Sequence, residues 1–218
     1  SWHEVQGFLR ALEKLLPGCE AALPTEAQWE YACRAGSETP FSFGGNVTPE
    51  QVNYDGNFPY AGGAKGRYRE KTVPVKSLPA NAWGLYEMQG NVSEWCADGP
   101  RAYDERAQQD PTGLVSGDEG AHRAFRGGSW SDRAGWARSA LQLALLPGLR
   151  FDDLGFRLSL RSIEPGQVPA PVQGRPGRPA APGGRSAGSA AARDEPLRTP
   201  TLWERVRDGF SFGKDKKR

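Results

Sequence analysis

At 218 residues, 37% hydrophobic and 25% charged, the chain suits one globular domain and a tail rather than two full domains. Its net charge of +2 is uneven: residues 161–218 hold twelve Lys/Arg against six Asp/Glu, and residues 1–160 hold sixteen against twenty. An acidic body argues against a nucleic-acid-binding core. No apolar run reaches membrane-span length, and Cys19, Cys33 and Cys96, with no CxxC spacing, supply neither a zinc set nor a disulfide framework.

Such cysteine usage suits a reducing compartment, so a cytoplasmic location is expected unless a signal segment preceded Ser1. In chain order, Ser1 and Glu4 have capping-box spacing, and Val5, Phe8, Leu9, Leu12 and Leu16 follow at helical intervals until Pro17-Gly18. Thr25 to Gln28 repeats the capping signature and opens a second helix with Trp29, Ala32 and Cys33 on one face, ending near Gly36. Pro40 to Pro79 reads as long loops and short strands held by Phe41, Phe43, Tyr54 and Phe58. Asn91 and Glu94 offer oxygens for a hard cation, or for hydrogen bonds to loop backbone. Residues 99–121 read as an exposed polar insertion.

Arg126-Gly127-Gly128-Ser129-Trp130 and Leu154-Gly155-Phe156-Arg157 read as fixed structure around a surface. Phe156, Leu158 and Leu160 alternate with Arg157 and Ser159 as a half-buried strand. Leu141, Leu143 and Leu145 form a potential strand face. Leu146, Leu149 and Phe151 surround a Pro147-Gly148 turn, where apolar groups are commonly exposed. An apolar loop on a rigid frame points to a binding surface, with a buried core loop as the alternative. Beyond the domain at 1–160, the Pro/Gly/Ala/Arg composition of 161–200 predicts a disordered linker. Residues 201–218 form a short basic tail in which Leu202, Trp203, Val206 and Phe210 fit one helical face within the docking candidate 202–212.

Five stretches then carry a resemblance: Leu23 to Ala32 (LPTEAQWEYA), Asn81 to Met88 (NAWGLYEM), Gly90 to Trp95 (GNVSEW), Arg126 to Trp130 (RGGSW) and Leu154 to Arg157 (LGFR). Together and in this order they resemble the formylglycine-generating enzyme (sulfatase-modifying factor) family. The resemblance implies an α+β, irregular, loop-rich fold of the C-type-lectin type. It implies that strands normally preceding the first helix are missing from this chain. It also implies a structural calcium held by Asn91, the carbonyl of Val92 and Glu94. A second family calcium site would use Asn53 and the carbonyl of Tyr54, with Arg67 where an acidic group is expected. Family oxidases bind copper through two cysteines shortly after the Gly-Gly-Ser-aromatic motif. Here that stretch is Ser131 to Arg138 and no cysteine follows Cys96, so no copper is expected. The three-histidine iron site of related sulfoxide synthases cannot be built from His3 and His122, and a hydrolytic Ser129, His122, Asp132 set lacks a nucleophile elbow.

Variable proteins of diversity-generating retroelements share this fold and diversify the segment between the same two motifs. By that resemblance the chain is expected to be a non-catalytic ligand- or protein-binding module. Its surface would draw on Trp130, Ser131, Asp132, Trp136, Leu141, Leu143, Leu145, Leu146, Leu149, Phe151, Asp152 and Asp153, with Trp130, Trp136 and Arg138 as anchors. A metal-dependent oxidoreductase or maturation factor is the alternative, and a scaffold with the 202–212 tail as docking peptide is a third reading.

Overall fold

Residues 1–103, 106–114 and 121–163 are described by the computed structural model; the expected linker from 164 onward and the 201–218 tail lie outside the described residues. Helix α1 spans Trp2–Leu15 and α2 spans Glu26–Arg34, each opened by the expected capping box, on Ser1 and Glu4 and on Thr25 and Gln28. Each box satisfies helix-start N–H groups that have no intrahelical acceptor. Between them runs β1 (Cys19–Ala22), followed by β2 (Ser93–Trp95), β3 (Arg123–Arg126), β4 (Leu143–Leu145), β5 (Leu154–Phe156) and β6 (Ser159–Ser162). A 3-10 turn covers Ala134–Ala137.

The strands form a four-stranded sheet in the order β4-β3-β2-β5 and a two-stranded sheet of β1 with β6. All neighbours are antiparallel except β2 and β5, which run parallel with Glu94 opposite Gly155. Arg161 and Ser162, read from the sequence as linker, instead pair with Glu20 and Cys19 in β6. The fold is α+β with more loop than regular structure, as the resemblance implied.

The main core joins Val5 and Leu9 of α1, Ala21, Leu23, Trp95, Phe125 and Leu145. Trp29 and Cys33 of α2 pack with Met88, Cys96 and Ala124. The long stretch after α2 builds its own core from Phe41, Val47, Val52 and Tyr54, closed by Ala134 and Ala137 of the 3-10 turn. That turn is how the Trp130 region is fastened to loops about eighty residues earlier. Along the last strands one expectation changes. Phe156, Leu158 and Leu160 alternate as predicted, yet all three are exposed, and the strand is interrupted between β5 and β6. Phe156 meets the exposed ring of Phe8, edge to face at 5.6 Å, beside an open cleft also lined by Val5, Trp95 and Leu154.

Candidate functional site

All five motif stretches supply a side chain to the polar contacts gathered around α2. Glu94, on β2, accepts from the indole Nε1 of Trp29 at 2.6 Å. Its two carboxylate oxygens also accept from Arg157 Nε at 2.6 Å and Nη2 at 2.8 Å, a forked ion pair. Burial opposes the charge on Arg157, and the Glu94 carboxylate outweighs it, holding the guanidinium pKa above its ordinary value. Arg126 lies over the Trp29 ring at 5.4 Å and pairs with Glu30 and Glu26. Asn81 donates its amide to the carbonyls of Ala32 and Cys33 at the end of α2, while its oxygen accepts from Trp83 and Leu85. These residues are spent on holding loops to a helix.

A second buried network sits at the threshold of the variable-looking segment. Ser129 Oγ donates to Asp132 Oδ2 at 2.8 Å and lies 3.1 Å from Asp153 Oδ2, which accepts from Ser131 Oγ at 2.6 Å. Asp132 also receives the Ser129 amide, and the Asp153 carbonyl receives the Ser93 amide. Residues from both ends of the segment therefore meet at one serine. The Gly127-Gly128 pair makes this possible. Gly128 has φ +65°, and a Cβ there would come within 3.0 Å of the Trp136 backbone.

The twelve residues read from the sequence as a surface divide accordingly. Ser131, Asp132 and Asp153 are buried in the network just described. Leu145 is 2% exposed and belongs to the main core, because the β4 alternation points it and Leu143 inward; Phe151 packs on the same core. Left outward are Leu146 at 41% and Leu149 at 38% on their turn, the exposed Asp152, and half-buried Trp130, Trp136 and Leu141. Arg138 is held back on the Gly135 carbonyl at 2.8 Å. Sequence reasoning missed the loop beside this surface. Tyr68 stacks on Trp130 with centroids 6.3 Å apart, and Phe58 lies under Arg133. The only signal for it was the alternation of Lys65, Arg67, Arg69 and Lys71 around Tyr68.

The expected calcium donors are not arranged for a cation. Glu94 faces a guanidinium and an indole N–H, and Asn91 Oδ1 accepts from Val73 N at 2.8 Å and Asn53 Nδ2 at 3.1 Å. Both side chains are thus turned to protein donors, and no oxygen of this set is set aside for an ion as placed. In the second family site Asn53 keeps a buried oxygen without a hydrogen-bond partner, but the position of the acidic ligand holds exposed Arg67. Among the described residues no group of three or more His, Cys, Asp and Glu is placed to hold a metal. Burial raises the Cys33 thiol to about 12 and the Cys96 thiol well above its ordinary value, so the fold favours the protonated thiol at both. The Ser129 hydroxyl is engaged with Asp132, Asp153 and Ser131.

Known proteins are similar in both sequence and shape. A formylglycine-generating enzyme from Streptomyces coelicolor is 35% identical over 167 residues, covering 72% of this chain and 50% of that protein. The chain spans half or less of the length of the curated relatives it matches. Among solved structures, PvdO from Pseudomonas aeruginosa is 30% identical with a TM-score of 0.61, covering 74% of this chain and 59% of that one. Treponema denticola variable protein 1 is 32% identical with a TM-score of 0.52, covering 66% and 48%. The sulfatase-modifying factor enzyme 1-like domain matches residues 1–162, and with its motifs gathered around α2 the chain belongs to that family.

Proposed function

We propose that this domain is a non-catalytic binding module whose recognition surface lies on the turns between Trp130 and Asp152. The observation that carries the reading is the division of that segment. Its ends are tied by buried hydrogen bonds through Ser129, and its middle presents Trp130, Trp136, Leu141, Leu146, Leu149 and Asp152 outward. Aromatic and aliphatic side chains on a rigid support are what a protein-binding surface uses as anchors. Similarity to a structure named as a variable protein supports a surface whose sequence changes while its frame does not.

The oxidase reading is favoured by identity to a formylglycine-generating enzyme. It requires thiolate ligands, and the chain has no cysteine after Cys96, while Cys33 and Cys96 are buried. The test is sequencing of the codons for residues 129–153 across many cells of one population. Changes are expected at the six outward positions and not at Ser129, Asp132, Leu145 or Asp153. An invariant window refutes a diversified surface. Copper-dependent conversion of a cysteine peptide to its aldehyde by the purified protein refutes the non-catalytic reading.

A further inference from the structure

The loop that sequence reasoning missed carries information on the partner. Residues 56–73 and 130–138 hold six Lys/Arg against two Asp/Glu, one of which, Asp132, is buried; the rest of residues 1–160 holds ten against eighteen. The packing brings these two segments together. Gly66 N donates to the Gly56 carbonyl at 2.8 Å, and a Cβ on Gly56 would sit 2.5 Å from the Arg67 carbonyl oxygen, so the loop closes tightly. Ala134 N donates to the Phe58 carbonyl at 3.1 Å, Arg133 lies 5.7 Å from the Phe58 ring centre, and Tyr68 stacks on Trp130. Lys65, Arg67, Lys71 and Arg133 are exposed, Arg69 is half-buried toward Glu50, and Glu70 is the one exposed acid among them.

We infer that this basic, aromatic face receives an acidic peptide segment of a partner protein, a reading that rests on the binding-module proposal and adds the partner's class. Exposed Arg67 and Arg133 present planar forks that match carboxylates two bonds at a time. The Trp130–Tyr68 pair offers a flat apolar platform for a neighbouring side chain of the partner. A long polyanion such as nucleic acid would also meet the acidic remainder of the body, which repels it; a short acidic segment meets only the local positive field. Because the 58–71 loop lies outside the Trp130–Asp152 segment, its charge is a constant part of the surface.

The test uses the full chain and a fluorescent peptide of alternating Glu and Phe, followed by anisotropy at low salt. Three proteins are compared: the natural chain, R67E/R133E, and K216E/K217E in the tail. The natural chain and the tail variant are expected to bind alike, and R67E/R133E at least about tenfold more weakly with an unchanged melting temperature. The inference is overturned by no binding, by loss in the tail variant alone, or by a single-stranded DNA oligonucleotide displacing the peptide with higher affinity. A diversified window in a protein that ignores the acidic peptide overturns the partner class and leaves the binding module standing. An invariant window with binding lost in R67E/R133E overturns a diversified surface and leaves the partner class standing.

Discussion

Replacing Glu94 with glutamine removes the carboxylate at which three motif stretches meet. The variant keeps the shape and one carbonyl oxygen, but it presents an amide NH₂ toward donors on Arg157 and Trp29. Both donors now approach Glu94 at 2.6 Å. Stranding one charge of a buried pair costs roughly 3–5 kcal/mol. The Arg157 side chain is 25% exposed and also donates to the carbonyls of Tyr86 and Glu87 at 3.2 and 3.3 Å, so the lower end applies. A loss of about 3 kcal/mol corresponds to a fall in Tm of roughly 6–12 °C for a domain of this size. Urea and thermal unfolding followed by circular dichroism measure it, with Glu94→Gln/Arg157→Gln expected to recover part of the loss. A loss below about 1 kcal/mol, typical of an exposed pair, refutes the claim that this pair is spent on holding loops to α2. Running the same melts in calcium and in chelator tests the donor argument. No calcium-dependent shift is expected, and a stabilisation present in the natural chain but lost in Glu94→Gln would overturn it.

Gly128→Ala is expected to lose about 2 kcal/mol, since it adds a left-handed penalty to a Cβ 3.0 Å from the Trp136 backbone; a melting temperature lowered by less than about 4 °C, the smallest shift that loss would give, counts against it. Leu145→Ala is expected to cost roughly 2–4 kcal/mol and Leu146→Ser less than about 0.5 kcal/mol, and equal effects in chemical unfolding would contradict their assignment to core and surface. In the native protein a maleimide is expected to label half-buried Cys19 and spare Cys33 and Cys96 until denaturant is added; rapid labelling of all three contradicts their burial. Because burial raises the Cys33 thiol from an ordinary 9.0 to about 12, folding holds it protonated where the unfolded chain would ionise it. Stability is therefore full below about pH 9 and declines as pH rises toward 12, and Cys33→Ala should flatten that decline in pH-dependent unfolding.

Much of the frame was legible because its signals are local. Capping boxes announce α1 and α2 within four residues, and the five motif stretches place the family by order alone. What escaped is non-local. Glu94 reads in isolation as a free oxygen donor; its partner Arg157 lies 63 positions on, and no spacing rule joins them. Leu145 and Leu146 are indistinguishable by type, and only the register of β4 on β3 sends one to the core. Tyr68 sits in a stretch without period, and its meaning comes from a ring 62 residues away. The exposure of Phe156, Leu158 and Leu160 was hidden for another reason: alternation reports which side chains share a face, not whether anything lies on it.

The meeting of Asp132 and Asp153 at Ser129 also bears on length. With both ends of the segment pinned, the entropy of closing it is met by the frame, whatever the residues between. Closure entropy grows only logarithmically, so doubling such a loop costs about 0.6 kcal/mol. The turn at Pro147–Arg150 should therefore accept inserted residues far more readily than Ser129 or Asp153 accepts a single replacement. Reach, and not only chemical character, becomes a property this surface can change without unmaking the fold.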